Sequence, residues 1–522
     1  MIIQNLNKIY GSRYIIKNFS YSFPEKEILA LVGINGAGKT TLLKLICGQE
    51  SFEEGTIILP KDKTLGYLPQ EPNSNPEETI LKECCAGNVK LFQMEKDLAQ
   101  AEHDLAFNYS EEILENFEHL EESFKKLGGY SHENNAKNML LSLGFEENQL
   151  SQHPDELSGG WRMRLELARL LIKSPDYLIL DEPTNHLDLP SIEWLEDYLK
   201  KFKGTILFVS HDETLLNNLP DRILHLSGGY IKEYVGNYED FIEQKESDDA
   251  NKEKMTNSIQ KKVKQLTKFV DRFKAKASLA KQAQNKMKMI QKLNEDIANL
   301  GPNIIQPEVD IKMSCKTESS KSVLNFDGEI GYDKHPLQKF SLFVYRGQKI
   351  AIIGGNGLGK STFIKTILEE IPLLSGSLKF GSNVNIGYYA QDQTQSLDPN
   401  KSVFENMHIA NPEFAEQQLM RVLGSFLFKR DDIHKPIRIL SGGEKSRLCL
   451  ACLLVRDLNL LILDEPTNHL DIMSCQILAN AVSNFAGTVI FVSHNRSFID
   501  LASSHLLTFE KNNVSLIEKT TD

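Results

Sequence analysis

The sequence predicts an α/β fold built twice: two phosphate-loop domains in tandem, joined by a long helical hairpin. Three observations carry this expectation. One set of short motifs occurs in two copies, each copy alternates apolar strands with loops and helices, and a lysine-rich segment without Pro or Gly separates the copies. Lys39 to Lys360 and Gln70 to Gln391 are both offsets of 321, whereas Ser158 to Ser441, Asp181 to Asp464 and His211 to His494 are all offsets of 283. The first copy therefore carries 38 extra residues, the difference between 321 and 283, between its glutamine and its serine.

In each copy a short apolar strand feeds a glycine-rich loop, residues 28–32 in the first and 349–353 in the second, and a helix follows at once. Continuous apolar runs at 177–180 and 460–463, and again at 205–209 and 488–492, read as buried parallel strands. Residues 1 to about 240 make the first domain, about 241–320 a linker, and about 321–522 the second domain. The extra residues fall within about 76–128, where thirteen acids face five lysines between Glu77 and Lys126. Apolar residues recur there at helical spacing (Leu98, Ala101, Leu105, then Ile113, Phe117, Leu120, Phe124). Residues 108–110 separate the two stretches and Gly128-Gly129 ends the second, which predicts a projecting helical hairpin.

The net charge is −12, unevenly spread. From Lys254 to Lys292 there are twelve Lys/Arg against one acid, Asp271, a net of +11 that leaves −23 for the remainder. A solvated helix face usually mixes signs, and this one does not. The linker reads as two antiparallel helices of about 25 residues meeting near Lys274 to Leu279, a rod of roughly 35–40 Å at the α-helical rise. Phe269 and Phe273 either stack on bases or hold the two helices together. No run of 18 apolar residues exists, so no membrane span is expected, and the first residues lack a signal-peptide layout, so a cytoplasmic protein is expected. Cys449 and Cys452 have metal-like spacing but lie in an apolar helical run with no second pair, which reads as a buried structural pair.

The loops carry the chemistry. Gly33, Asn35, Gly36, Ala37, Gly38, Lys39, Thr40 and Thr41 in the first copy match Gly354, Asn356, Gly357, Leu358, Gly359, Lys360, Ser361 and Thr362 in the second. Glycines let backbone N–H groups wrap phosphates at a helix N-terminus, the lysines reach the β/γ-phosphates, and the Thr40 and Ser361 hydroxyls suit Mg²⁺. Asp181 and Asp464 end buried strands at the edge where α/β sheets bind ligands, placed to hold the Mg²⁺ shell. Glu182 and Glu465 follow, placed to orient or deprotonate a water, and His211 and His494 follow another buried strand, within reach of a γ-phosphate. Gln70 and Gln391 offer neutral amides to metal or water. Ser158-Gly159-Gly160 and Ser441-Gly442-Gly443 each precede a helix; a serine cap alone would not require two glycines, whereas close approach of a phosphate does.

These elements together resemble the ATP-binding cassette superfamily. Glu-Pro-Thr-Asn-His-Leu-Asp in both copies (182–188 and 465–471), Leu157 to Leu165, the first-domain insertion and the linker run 269–284 resemble its ABC-F family. The resemblance implies two tandem P-loop ATP-binding cassette domains joined by a helical-hairpin linker, hydrolysing ATP with Mg²⁺. It implies head-to-tail pairing within one monomeric chain, so that Lys39, Gln70, Asp181, Glu182 and His211 share a site with Ser441, and Lys360, Gln391, Asp464, Glu465 and His494 with Ser158. Tyr10 and Tyr332 resemble adenine-stacking aromatics, although a tyrosine in a first strand is equally a core residue.

The resemblance further implies a ribosome-bound factor entering the tRNA exit site. Its linker (Lys261, Lys262, Lys264, Lys268, Arg272, Lys274, Lys276, Lys281, Lys286, Lys288) would contact rRNA and P-site tRNA, and the acidic hairpin would act as an arm near the large-subunit stalk. The alternatives are an energy-coupling ATPase for separately encoded membrane subunits, an antibiotic-protection factor of the same family, and a nucleic-acid repair ATPase. The first would have a short connector, the second a longer linker tip, and the third a zinc module or coiled-coil tail. Trp161 departs from the transporter signature. Asn495 after His494, against Asp212 after His211, suggests unequal sites.

Overall fold

The computed structural model describes residues 1–11, 13–69, 78–108, 110–185, 187–273, 285–293, 317–332, 335–390, 397–468, 470–511 and 513–519. Each half of the chain is built on a six-stranded sheet. In the first the order is Leu65–Leu68, Tyr177–Asp181, Thr205–Val209, Ile28–Val32, Arg222–Ser227 and Tyr230–Val235. In the second it is Ile386–Tyr389, Leu460–Asp464, Thr488–Val492, Lys349–Gly354, His505–Glu510 and Asn513–Glu518. All neighbours are parallel except the last pair of each sheet. Strands buried on both faces need no polar alternation, which is why they read as unbroken apolar runs. Even the register repeats: Asp181 pairs with Val209 and Asp464 with Val492.

A three-stranded antiparallel sheet accompanies each six-stranded one, formed by Ile2–Tyr10, Arg13–Ser22 and Glu54–Ile58 in the first half and by Ser322–Tyr332, His335–Tyr345 and Ser375–Phe380 in the second. Leu6 and Ile16, and in the second half Phe326 and Leu342, face inward from these strands against the helix that follows the glycine loop. The apolar residues of each half thus form two layers, one on either face of the parallel sheet. Cys449 and Cys452 are buried on the helix Gly442–Leu454, within one of these layers.

The acidic insertion contains two helices, Val89–Phe107 and Glu111–Lys126, packed on each other. Ala101 and Phe124 are buried, and Leu98, Leu105, Ile113, Phe117 and Leu120 are half-buried between acidic outer faces. Ser110 caps the second helix by accepting from the Ile113 N–H at 3.2 Å. Gly128, at φ 76°, ends the hairpin and starts the next helix.

The linker helix differs from expectation. It runs over Tyr238–Phe273, 36 residues rather than about 25, and begins inside the stretch assigned to the first domain. Nothing breaks it, because no Gly or Pro lies between Gly236 and Gly301. Reciprocal bonds between Asn237 and Asp240 start it, and Tyr238, Phe241 and Ile242 anchor it on the first-half core. At 1.5 Å per residue it spans about 54 Å. Lys261, Lys262, Lys264 and Lys268 are exposed along it. Residues 285–293 are also helical, with Lys286 half-buried and Lys288 exposed. Arg272 is described by its helical backbone alone, and the expected tip, with Lys274, Lys276 and Lys281, lies outside the described residues.

One buried cation fixes the strand that delivers the second loop. Lys349 is 7% exposed, and its ammonium donates to the carbonyls of Gly487 (2.6 Å), Phe485 (2.7 Å) and Gly347 (3.3 Å). Replacing Lys349 with Met leaves those carbonyls buried and unpaired. The expected cost is about 2–3 kcal/mol, read as a lower unfolding midpoint for the second half by calorimetry of the whole chain.

Candidate functional site

The glycine loops sit where the central strands Ile28–Val32 and Lys349–Gly354 end and the helices Lys39–Ile46 and Lys360–Ile367 begin. Gly36 and Gly38 have φ of 75° and 107°, and Gly357 and Gly359 of 80° and 97°, a left-handed path that side chains with a Cβ disfavour. At Gly38 space adds a second constraint: a Cβ would lie 2.3 Å from Ile15 Cγ2. Both lysines are buried and turned onto their own loop. Lys39 Nζ donates to Gly33 O at 2.7 Å, and Lys360 Nζ to Gly354 O at 2.6 Å and Gly355 O at 2.9 Å. Burial pushes the Lys360 ammonium down to about 8 and lowers Lys39 as well. Ala37 and Thr362 are buried, and Thr41 lines the first cavity.

Asp181 and Asp464 end their strands as expected, and burial raises both carboxyls above the usual range. Among the described residues the buried Asp181 oxygens have only the Thr40 hydroxyl beside them. The next residue is strained in both halves: Glu182 at φ 54° and Glu465 at φ 48° occupy the left-handed region. Each is held there by its own N–H, which donates to Val209 O or Val492 O at 3.0 Å. His211 Nε2 approaches Glu182 Oε1 to 3.2 Å and His494 Nε2 approaches Glu465 Oε1 to 3.3 Å. Burial pushes Glu182 up to about 8, Glu465 up to about 7, and His494 down to about 3.

The two halves meet head to tail, and the meeting closes two cavities. One, of about 510 Å³, brings Lys39, Thr40, Asp181, Glu182 and His211 of the first half to Ser441, Gly442 and Gly443 of the second. The other, of about 450 Å³, brings Lys360, Ser361, Asp464, Glu465 and His494 to Ser158, Gly160 and Trp161. Tyr10 lines the first cavity and is exposed, so it is not a core residue. Tyr332 is equally exposed but does not line the second cavity. Gln70 and Gln391 lie outside the described residues.

The ABC transporter family model matches residues 16–185 and 337–468, and a second model with the same description matches 224–310. The chain is 38% identical to the putative ATP-binding protein YdiF of Bacillus subtilis, over 98% of this chain and 81% of that one. It is 35% identical to the probable ATP-binding protein YbiT of Escherichia coli O157:H7, over 97% of this chain and 95% of that one. Against the ATP-binding protein Uup of Haemophilus influenzae it is 35% identical, over 93% of this chain and 74% of that one. The chain belongs to the ABC-F family of ATP-binding cassette proteins. It is an ATPase with two cassettes in one polypeptide. Among solved structures, the fold is similar to the RNase-L Inhibitor (TM-score 0.62, 18% identity, 98% of this chain and 89% of that one). It is also similar to archaeal aABCE1, crystallised with the ribosomal stalk protein aP1 (TM-score 0.60, 18% identity, 97% and 88%).

In this ABC-F chain two aspartates, each the last residue of the Glu-Pro-Thr-Asn-His-Leu-Asp motif, link the cassettes. Asp188 Oδ1 caps its own helix by accepting from Ser191 N–H at 3.3 Å, while Oδ2 accepts from Asn356 N–H of the opposite glycine loop at 2.9 Å. Asp471 repeats this with Ser474 N–H at 2.9 Å and Asn35 N–H at 3.3 Å. Behind each stands a buried arginine. Arg164 Nη2 lies 3.9 Å from Asp188 Oδ2, its Nη1 donates to Leu143 O at 2.8 Å, and its guanidinium stacks over Trp161 at 4.6 Å. Arg447 Nη1 lies 3.7 Å from Asp471 Oδ2. The signal was available: Arg164 and Arg447, like Asp188 and Asp471, share the offset of 283.

Substituting Asp188 and Asp471 together with Ala removes two caps and both cross-cassette bonds. Each cap is worth about 1 kcal/mol, so the unfolding midpoint should fall by a few degrees. The larger expected effect is on closure, with KM for ATP raised roughly tenfold. The double Asn variant keeps one acceptor oxygen per residue where two are used, so it should restore either the cap or the cross-cassette bond at each position and recover only part of the loss in the same steady-state assay.

Proposed function

We propose that this chain is an ATP-driven ribosome-binding factor that enters the tRNA exit site and places its basic linker against P-site tRNA and rRNA, with release coupled to hydrolysis. The observation that carries the reading is where the basic helix is rooted. Tyr238, Phe241 and Ile242, in its first turns, line a small cavity with Gly33, Ile34 and His211 of the first ATP site and with Asp471 and Ile472 of the second cassette. A change in how the cassettes meet reaches the rod at its base, and the net +11 farther along suits a phosphate-lined cleft with little sequence selectivity. Two structural neighbours are in keeping with it: one is an archaeal ribosome recycling factor, and another is ribosome-bound archaeal Pelota and ABCE1. Among the described residues no helix is long and apolar enough to cross a membrane, and we place the protein in the cytoplasm.

In this reading each ATP lies between one cassette's glycine loop and the other's signature serine. Lys39 and Lys360 exchange their loop carbonyls for the β/γ-phosphates, and Tyr10 lies against the adenine. The buried oxygens of Asp181 beside the Thr40 hydroxyl are hard donors that would fit Mg²⁺, as would Asp464 and Ser361 in the repeat. Bound there, Mg²⁺ neutralises phosphate charge. Glu182 and Glu465, raised toward neutrality by burial, orient and deprotonate the attacking water, and the neighbouring histidines hold the γ-phosphate.

The domains divide near residues 240 and 320, and the acidic hairpin is an arm toward a basic ribosomal partner. Glu182→Gln with Glu465→Gln should lower kcat at least about 100-fold and leave the chain pelleting with ribosomes in ATP. A variant that binds ATP normally yet stays in the supernatant would overturn the ribosome reading. Reversing Lys261, Lys262 and Lys264 to Glu should weaken that binding and flatten its dependence on log salt by roughly two to three units.

A further inference from the structure

The third residue after the signature serine is Trp161 in the first cassette and Glu444 in the second, positions related by the offset of 283. The difference changes what the serine does. Ser441 opens its helix with a reciprocal box: its hydroxyl donates to Glu444 Oε2 at 2.7 Å, its N–H donates to the same oxygen at 2.8 Å, and Glu444 N–H returns a bond to Ser441 Oγ at 3.4 Å. Ser158 opens its helix with nearly the same backbone, φ −65° against −64°, and its side chain makes no cap bond. Trp161 packs on Phe145 with ring centroids 4.9 Å apart and takes Arg164 over its face.

Both serines line the cavities that the two cassettes close. At Ser441 the hydroxyl proton is committed to a carboxylate, and a negative charge sits on the turn that meets the opposite glycine loop. A carboxylate there satisfies the helix N-terminus and competes with a phosphate for the same field and the same donors. At Ser158 that competitor is replaced by an uncharged ring.

We propose that Glu444 is a positioning residue that makes the two ATP sites unequal. It holds Ser441 back from the γ-phosphate in the site of Lys39 and Asp181, whereas Trp161 leaves Ser158 without a competing carboxylate in the site of Lys360 and Asp464. The second site therefore loads first, and the first loads when the Ser441–Glu444 bond opens. The proposal rests on the composite-site reading given above.

The test is a titration of the whole chain, carrying Glu182→Gln and Glu465→Gln, with Mg·ATP labelled on the ribose by methylanthraniloyl fluorescence. Two phases are expected. Glu444→Gln and Glu444→Trp should each tighten the weaker phase about three- to tenfold, the range of one net hydrogen bond, and Trp161→Glu should weaken the tighter phase by a similar factor. A single affinity in the parent chain, or a weaker phase that neither Glu444 variant moves while the melting curve is unchanged, overturns the proposal. If the Glu444 variants melt early, Trp161→Glu decides alone: an unmoved tight phase overturns it. Lys39→Ala and Gly442→Asp should abolish the same phase. If they abolish different ones, the composite-site reading falls and this proposal with it; if the same one, only the role of Glu444 is in question.

Discussion

Two carboxylates with two tasks each hold this molecule in a working arrangement. Asp188 and Asp471 each spend one oxygen on the start of their own helix and the other on a backbone N–H of the opposite glycine loop. The loop so held presents its lysine and hydroxyl to a cavity whose far wall is the other cassette's signature serine. Each cavity is lined by residues of both cassettes. Burial works against each carboxylate's charge, but the bonds from Ser191 and Asn356, or from Ser474, with Arg164 or Arg447 behind, hold both below the usual range.

The same interface carries strain and asymmetry. Glu182 and Glu465 sit at positive φ directly after their strands, and each donates its N–H to a carbonyl at the end of the neighbouring strand. Outside the ATP sites the contacts are not symmetric. Arg496 of the second cassette pairs with Glu196 of the first at 3.3 Å, while Glu213, the repeat counterpart of Arg496, accepts instead from Gln476 at 2.5 Å. The halves of this duplicated fold thus differ at these contacts, as they do at Trp161 and Glu444.

Much of the fold was legible because it depends on local patterns. Buried parallel strands show as apolar runs, left-handed loop positions show as glycines, and the acidic hairpin shows as a helical period with a serine start and a glycine stop. The linker helix was read too short because its first turns look like the end of a cassette. Only packing on His225 and Tyr234, with ring centroids 5.2 Å and 5.1 Å from Phe241, reveals them as the base of the rod. Tyr10 and Tyr332 could not be told apart from core residues by sequence, since a tyrosine in a strand fits either face; exposure decides both, and a cavity wall decides for Tyr10 alone.

The sequence by itself determined the duplication, the chemistry of each loop and carboxylate, and the concentration of positive charge between the copies, because these follow from residue type and spacing along one chain. The tertiary structure alone decided that Asp188 and Asp471 reach the opposite glycine loops, that Glu182 and Glu465 are strained, and that Arg164 and Arg447 stand behind the cross-linking aspartates. The first depends on contacts between the two halves, such as Asp188 with Asn356, and the other two on how strands and helices within one half pack; no local pattern encodes the geometry of either.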